Sequence, residues 1–330
     1  MSSNQNPELA DLIASARVIS LPLRTKFRGI NDREMLLFRG PKGWAEWSPF
    51  IEYPDEEAAT WLAAAIDFAY ADLPPLLRDQ IPVNATLPAV DPAQVQKILS
   101  KFGTFSTVKI KVAEPGQDLQ QDLARIDAVL AHYPNVKMRL DANGAYEVEQ
   151  AIELANELVK RSIPLEYLEQ PVASIAEMAE LRMKLDELGV KIAADESVRK
   201  VSDPLAVAQA DAADVLVLKA APLGGIHQAL SIASEANLPV VISSALESSV
   251  GLSMGAHLAA ALPNLEFDCG LATAALLAGD VTRNPITPVD GKISVTRVDV
   301  DASLLETFKA EDHRADWWLE RLERCFKLLG

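Results

Sequence analysis

Cysteine is scarce in this chain, which has two such residues among 330, at Cys269 and Cys325. A disulfide framework needs more cysteines, and this distant pair also lacks the spacing of a zinc site. The four histidines lie in predicted helices or in the tail: His132, His227, His257 and His313. The sequence therefore favours a reducing, cytoplasmic setting over a disulfide-bonded scaffold, and it does not indicate a histidine-based catalytic triad.

Long hydrophobic runs are also missing. The most apolar stretches, residues 61–70 and 240–251, are interrupted by Asp67 and Glu247. A membrane-spanning helix needs about 20 mainly apolar residues. Residues 1–7 are polar and do not place an apolar core behind a basic segment, as a signal peptide does. We therefore expect no association with a membrane.

Positive charge is scarce relative to negative charge. The chain has 31 Lys and Arg against 47 Asp and Glu, which gives a formal net charge of −16. A field of this sign repels nucleic acid and anionic membranes, so neither is expected as a partner. It also repels an anionic small molecule, so a site for such a substrate has to gather its own cations. The oligomeric state is left open, and a monomer is compatible with the sequence.

Short β-rich runs recur from about residue 80, and most are followed by apolar residues at helical spacing. The eight runs cover residues 83–88, 107–112, 136–140, 165–168, 190–194, 214–218, 240–243 and 265–267. Strand and helix alternating eight times is the pattern of a (β/α)8 barrel. An open doubly wound sheet uses similar units, but no G-x-G-x-x-G follows the first run. The predicted class is α/β, with a (β/α)8-type barrel over residues 81–285 that holds the active site.

The segments on either side of the barrel have a different pattern. Within residues 1–80, two strands around a Gly-Pro-Lys-Gly turn and one helix are predicted at residues 36–38, 44–47 and 58–73. They indicate a small N-terminal α+β capping domain. Within residues 286–330, a strand and a helix are predicted at residues 292–298 and 316–329. We expect this C-terminal segment to return to the cap and complete it.

Carboxylates recur where successive barrel strands end. Asp141, Glu169 and Asp195 follow the third, fourth and fifth runs, one strand–helix unit apart. The carboxyl ends of barrel strands form the face that carries catalysis, so these three side chains are expected to converge. Close anions repel one another unless a cation joins them, and hard divalent ions prefer oxygen ligands. The spacing therefore predicts a Mg²⁺ site, with Mn²⁺ as the alternative ion.

Lysines flank this predicted metal site on both sides. Lys109 and Lys111 are two residues apart on the second strand, so both face the same way, and Lys219 ends the sixth strand across the mouth. A lysine can act as a base near neutral pH when burial or a neighbouring cation lowers its pKa. Taken singly, each charge has a plainer explanation as a salt bridge or a solvated side chain. Taken in register, they predict acid–base chemistry on a small carboxylate substrate.

The segments K-I-K, D-A-N, E-Q-P, A-D-E-S and L-K together resemble the enolase superfamily, in its muconate-lactonizing subgroup. Three later segments resemble the o-succinylbenzoate synthase family: L-V-L-K-A-A-P-L-G-G, S-S-A-L-E-S-S-V-G-L and G-L-A-T-A-A-L-L-A-G-D. The likeness runs over nearly the whole chain and implies a lyase of menaquinone biosynthesis. The implied reaction dehydrates 2-succinyl-6-hydroxy-2,4-cyclohexadiene-1-carboxylate to o-succinylbenzoate through a metal-stabilised enediolate.

The resemblance also implies roles for individual residues. Lys111 would be the acid–base, Lys109 would support it, and Lys219 would stabilise the anion from the other side. Asn143 and Glu196 would support the metal site. The implied metal ligands are Asp141, Glu169 and Asp195. The implied substrate-binding residues are Arg139, Gly224, Gly225, Ser243, Ser244 and Glu247.

Other functions fit part of the pattern. Lysines on both sides also suit an N-acylamino acid racemase or a dipeptide epimerase, although the eighth run carries no clear Asp-x-Asp. A barrel that binds a carboxylate without chemistry is a third possibility, and it predicts a missing ligand or lysine. None is missing from the set. The short segment Thr25–Asn31 is the candidate lid over the site.

Overall fold

The computed structural model describes residues 7–27, 29–199 and 203–330. A three-stranded antiparallel sheet and two helices form the N-terminal layer. Its elements are α1 (Leu9–Ser15), β1 (Arg17–Phe27), β2 (Ile30–Gly40), β3 (Gly43–Trp47) and α2 (Asp55–Tyr70). The hairpin and the helix expected in this region are present, whereas α1 and β1 were not predicted.

The N-terminal sheet packs its apolar side chains against α2. Strand β2 is central between β1 and β3, and its residues 35–38 are fully buried. Helix α2 turns an alanine-rich face toward the sheet, and small side chains let helix and sheet approach closely. The Trp47 indole N–H donates to the carbonyl of Ala58 at 2.9 Å, which ties β3 to the start of α2.

A parallel sheet forms the wall of the barrel. A short strand, β4 (Gln80–Pro82), precedes it. The seven strands that follow pair with their neighbours in chain order. They are β5 (Ala85–Leu87), β6 (Thr107–Lys111), β7 (Lys137–Asp141), β8 (Leu165–Glu169), β9 (Ile192–Ala194), β10 (Val215–Leu218) and β11 (Val240–Ile242). These strands are mostly buried, which explains the continuous apolar runs of β9, β10 and β11.

The ring is closed by the segment Cys269–Gly270. Parallel bridges join Cys269 to Val83 on one side and Gly270 to Ser243 on the other. The eighth strand predicted at residues 265–267 is therefore wrong in position, because the pairing residues lie just beyond that apolar run. Closure itself agrees with the prediction, and the α/β class with a (β/α)8-type barrel is confirmed.

Helices follow the barrel strands and cover the outside of the sheet. They are α3 (Val95–Leu99), α4 (Leu119–His132), α5 (Val148–Lys160), α6 (Ile175–Asp186), α7 (Glu196–Arg199), α8 (Ala206–Gln209), α9 (Ile226–Ala236) and α10 (Ser249–Ala261). Capping boxes begin α4 at Asp118 and α6 at Ser174. Each satisfies backbone N–H groups that a helix start leaves without partners. Helix α10 is buried along its whole length, and it contacts β3 and β4 as well as the barrel strand β11.

The C-terminal segment contacts both layers. Strand β12 (Lys292–Ser294) pairs antiparallel with β4, and it is followed by α11 (Ala302–Thr307) and α12 (Asp312–Lys327). Helix α12 lies on α2 and β1. There the Trp318 ring meets Trp47 edge-on at 5.3 Å, and Arg321 donates to the carbonyl of Tyr53 at 2.6 Å. Within the described parts of the chain, no helix combines the length and the apolar character that crossing a bilayer requires.

Candidate active site

The carboxyl ends of three neighbouring strands carry charged residues side by side. The parallel register pairs Lys111 of β6 with Asp141 of β7, and Asp141 with Glu169 of β8. Asp195 follows the end of β9, the next strand of the sheet. All three carboxylates are buried, at 2% exposure or less. The periodic spacing thus brings the three acids together at one end of the barrel.

The lysines contact these carboxylates from two sides. Lys109 Nζ lies 2.8 Å from Glu169 Oε1 and 3.2 Å from Asp141 Oδ2. Lys111 Nζ lies 2.5 Å from Asp141 Oδ2. Across the barrel mouth, the ammonium group of Lys219 forms an ion pair with Asp195. We call these six residues, Lys109, Lys111, Asp141, Glu169, Asp195 and Lys219, the strand-end cluster.

The pKa values of the three acids in the strand-end cluster are shifted in different directions. Burial opposes ionisation of Asp141 and Asp195, but the lysines beside them hold the pKa of both carboxyls well below the usual range. Burial and the neighbouring Asp141 charge raise the pKa of Glu169 to about 7. Burial also lowers the pKa of Lys219, with Arg199 adding to the effect. The cluster thus holds one carboxylate that its cations do not fully compensate.

The three acids have the chemistry of a site for a hard divalent cation. Carboxylate oxygens are the ligands that Mg²⁺ and Mn²⁺ prefer, and a bound cation would remove the electrostatic cost seen at Glu169. The side chains are turned toward the lysines, and among the described residues no group of three or more metal-binding side chains surrounds a single point. Asp141, Glu169 and Asp195 are the residues that could hold the ion.

Asn143 links both sides of this cluster. Its backbone N–H donates to Asp141 Oδ1 at 3.1 Å, and its side-chain oxygen accepts from Lys111 Nζ at 2.6 Å. Its amide nitrogen donates to Glu196 Oε1 at 3.2 Å. Asn143 has a positive φ of 48°, a conformation that asparagine tolerates better than most residues. Asn143 therefore fixes Lys111 and Asp141 relative to Glu196 through its backbone N–H and its side chain together.

A cavity opens above the strand-end cluster. Its barrel wall includes Ser243, Ser244, Ala245 and Leu246, which follow β11, together with Gly270. Further lining residues are Thr86, Thr273, Asn143, Glu196 and Arg199, with all members of the cluster except Glu169. Three aromatic residues of the N-terminal layer complete the wall: Phe27, Phe50 and Trp61.

Sequence reasoning missed Phe50, Trp61 and Arg199, and it included Phe27 only as part of the candidate lid. The Phe27 ring centroid lies 5.7 Å from Lys111 Nζ, a cation–π contact. Arg199 donates to Asp195 Oδ1 at 3.1 Å and to the hydroxyl of Tyr53 at 3.2 Å. Only the Asp195–Arg199 spacing of four residues, one helical turn, could have pointed to this pair.

The residues predicted to bind substrate fall in different places. Ser243 and Ser244 lie in the cavity wall. Arg139 is buried in the barrel and donates to Glu166 at 2.6 Å, outside the cavity lining. A binding role for Arg139 stays a prediction.

The glycine pair and Glu247 lie behind the cavity wall. Gly225 adopts a φ of +119° and packs against α2, where a methyl group would come 3.2 Å from Asp67 Oδ2. Gly224 faces Thr60 of the same helix. The Glu247 carboxylate accepts the Ala245 N–H at 2.7 Å from outside the cavity. Of the candidate lid Thr25–Asn31, Phe27 lines the cavity, whereas residue 28 lies outside the described residues.

Similar proteins define the class to which this fold and site belong. The Enolase N-terminal domain-like model matches residues 18–69, and the Enolase C-terminal domain-like model matches residues 92–298. The crystal structure of muconate lactonizing enzyme from Pseudomonas fluorescens matches with a TM-score of 0.75 at 22% identity, covering 90% of this chain and 98% of that one. The L-Ala-D/L-Glu epimerase from Bacillus subtilis matches at 0.72 and 22%, covering 84% and 94%. The chain belongs to the enolase superfamily.

Sequence relatives narrow the assignment within that superfamily. The o-succinylbenzoate synthase of Mycobacterium ulcerans is 50% identical, covering 97% of this chain and 96% of the relative. The o-succinylbenzoate synthase of Mycobacterium tuberculosis is 49% identical, covering 98% and 97%. Identity at this level over nearly full length places the chain in the same family as these synthases. It is an enzyme, and it is a lyase.

Proposed function

We propose that this enzyme dehydrates 2-succinyl-6-hydroxy-2,4-cyclohexadiene-1-carboxylate to o-succinylbenzoate in menaquinone biosynthesis, with Mg²⁺ as its cofactor. The observation that carries the proposal is the strand-end cluster, in which lysines from two opposite strands face one set of three carboxylates. The names of the half-identical relatives supply the identity of the product, o-succinylbenzoate, and the substrate is the one that the family resemblance implies. In this proposal Asp141, Glu169 and Asp195 hold the metal.

The chemical difficulty of the reaction lies in its first step. A proton beside a carboxylate is very weakly acidic, because its loss places a second negative charge on the same group. A bound Mg²⁺ would supply Lewis-acid stabilisation of that charge. The ammonium group of Lys219 would stabilise it from the other side, and its burial at 8% exposure strengthens the electrostatic effect.

Lys111 is the residue we assign to proton transfer. It lies at the cavity wall beside Asp141 and Asn143, within reach of a substrate held on the carboxylate set. Its amine would take the proton from the ring carbon next to the carboxylate. The resulting ammonium would return a proton to the departing hydroxyl group, which leaves as water. One C–H and one C–O bond break, and the ring becomes aromatic.

A direct assay tests this proposal. The purified protein is mixed with the cyclohexadiene substrate and Mg²⁺, and the aromatic absorbance of the product is followed. We expect turnover with Mg²⁺ and its loss after chelation. If the chain does not form product with either Mg²⁺ or Mn²⁺, the proposed reaction is wrong.

Racemisation of an N-acylamino acid, or epimerisation of a dipeptide, is the second candidate. Lys111 and Lys219 face the cavity from opposite sides, so a proton could be taken from one face and returned on the other. Loss of optical rotation from a single enantiomer, without any aromatic product, would favour this activity over dehydration.

A further inference from the structure

A buried polar cluster joins the N-terminal layer to the barrel just behind the cavity wall. We call it the junction cluster, and it consists of Arg33 on β2, Glu46 on β3, Ser48, and Glu247 and Ser248 before α10. All five residues are buried, at 6% exposure or less. None of them lines the cavity.

Glu46 of the N-terminal layer caps a helix of the barrel. Its Oε2 atom accepts the backbone N–H groups of Ser248 at 3.1 Å and Gly251 at 3.2 Å, and also the Ser248 hydroxyl. Its Oε1 atom accepts the hydroxyl of Ser48 at 2.7 Å. A carboxylate at this place satisfies N–H groups that would otherwise be buried without partners. The start of α10 is therefore held by a residue from a different layer of the protein.

Arg33 and Glu247 hold the loop that leads into that helix. Arg33 donates from Nε to the Leu246 carbonyl at 3.3 Å and from Nη2 to the Ala245 carbonyl at 3.4 Å. The Glu247 carboxylate accepts the Ala245 N–H. Leu246 has a φ of +65°, which side chains of its kind adopt at a cost. The loop conformation therefore depends on these contacts.

The same loop forms part of the cavity wall. Ala245 and Leu246 line the cavity, and so does Phe50, whose ring centre lies 4.2 Å from the guanidinium carbon of Arg33. One arginine thus contacts two separate pieces of the wall. The packing behind the loop is tight, since a methyl group on Gly251 would come 2.5 Å from Glu247 Cβ.

We propose that Arg33 and Glu46 are positioning residues, which set substrate affinity by fixing the Ala245–Leu246 wall and Phe50 without touching the substrate. The inference rests on the proposed function. Neither residue contacts the strand-end cluster through the hydrogen bonds described above. A change at either one should therefore move the wall while leaving the proton-transfer groups in place.

Steady-state kinetics of Arg33→Lys and Glu46→Gln test this inference. We expect KM to rise about tenfold in each variant while kcat stays within about twofold, because a misplaced wall weakens binding before it alters proton transfer. The matched control is Glu34→Gln. Glu34 follows Arg33 on β2 but pairs with Arg314 and Trp318 of α12. It should lower the melting temperature without changing KM.

Unchanged KM in both junction variants, or an equal rise in the Glu34→Gln control, would overturn the inference. If Glu46→Gln does not fold, Ser48→Ala removes a single hydrogen bond to Glu46, and a KM equal to that of the wild type would count against the proposal in the same way. Failure of the proposed function is recognised separately, by a wild-type protein without turnover. In that case the crystal structure of Arg33→Lys tests whether Arg33 positions the loop. We expect Ala245 and Leu246 to be displaced, and an unchanged loop would refute the positioning role.

Discussion

The strand-end cluster and the junction cluster both bury carboxylates, but they hold them by different means. In the strand-end cluster, Asp141, Glu169 and Asp195 each contact a lysine ammonium group. In the junction cluster, Glu46 is held by two serine hydroxyls and by backbone N–H groups. Lysine side chains can exchange partners when a cation or substrate arrives, whereas backbone donors are fixed by the fold. The first arrangement suits chemistry, and the second suits positioning.

This difference predicts which measurement responds to a substitution. Removing a charged partner in the strand-end cluster should change turnover or metal affinity. Removing a charge in the junction cluster should change substrate affinity or the free energy of unfolding. If a substitution in the strand-end cluster changed only substrate affinity, or one in the junction cluster changed only turnover, the two clusters would not have these separate roles.

The largest effect is expected for Lys111→Ala. Loss of a general base costs about a hundredfold to ten-thousandfold in rate, so kcat should fall by that range. The variant should still fold with a modestly lower melting temperature, because the Lys111–Asp141 ion pair is lost while Lys109 remains 3.2 Å from Asp141. Product absorbance and thermal unfolding measure the two quantities. Lys137→Ala, at the other end of the next strand and 66% exposed in its side chain, is the matched control and should keep full activity. Near-normal turnover in Lys111→Ala would show that Lys111 is not the general base.

A smaller effect is expected for Glu169→Gln. Loss of a group that only supports a metal ligand costs about ten- to a hundredfold in metal affinity, so changing a proposed ligand itself should weaken Mg²⁺ binding by at least that range. The amide keeps the shape of the side chain but lacks its negative charge. Titration calorimetry with Mg²⁺ measures the change directly, independent of turnover. Glu166→Gln on the same strand is the control, because Glu166 pairs with Arg139, whereas Glu169 pairs with Lys109 of the strand-end cluster. Equal Mg²⁺ affinity in Glu169→Gln and wild type would exclude Glu169 as a ligand.

The smallest effect concerns pH and the junction cluster. Burial and the neighbouring Glu247 raise the pKa of Glu46 from 4.5 to about 7. The folded protein therefore keeps a proton on Glu46 between these pH values that the unfolded chain releases. The contribution of Glu46 to the free energy of unfolding should fall as pH rises through this window, by at most about 1.4 kcal/mol per pH unit, and level off above pH 7.

Chemical denaturation of wild type and Glu46→Gln at several pH values measures this contribution. The variant cannot titrate at this position, so its curve should lack that part of the slope between about pH 4.5 and 7. Parallel curves for the two proteins would show that Glu46 keeps an ordinary pKa in the folded state.

Local sequence patterns predicted most of the barrel. Strands β9, β10 and β11 are buried on both faces, so their apolar runs mark them without reference to the rest of the chain, whereas β6, β7 and β8 were marked by their place in the strand–helix repeat. The eighth strand was misplaced because the pairing of Cys269 and Gly270 is set by the two strand edges they join. Strand β1 was missed because it contains Pro22 and lies at a sheet edge, a position where proline is tolerated.

The candidate site was predictable to the extent that it depends on the barrel repeat. The strand-end cluster follows from register, since strands of similar length bring their last residues to the same height. The aromatic wall does not follow from the register of the barrel strands. Phe27, Phe50 and Trp61 reach the cavity only because the N-terminal layer packs against the barrel. Glu247 shows the same limit. Its place in the sequence suggested the substrate pocket, whereas in the structure its carboxylate accepts the Ala245 N–H, and a substrate-binding role stays a prediction.

The closing segment Cys269–Gly270 also bears on how the protein is made. It bonds to residues near Val83, where the barrel sequence begins, so the first and last strands of the ring meet there. The strands that carry Lys111, Asp141 and Glu169 pair with their immediate neighbours and can form an open sheet early. The ring cannot close until the ribosome has released its last strand. The strand ends that carry Lys111, Asp141 and Glu169 can therefore come together before Cys269 and Gly270 complete the ring.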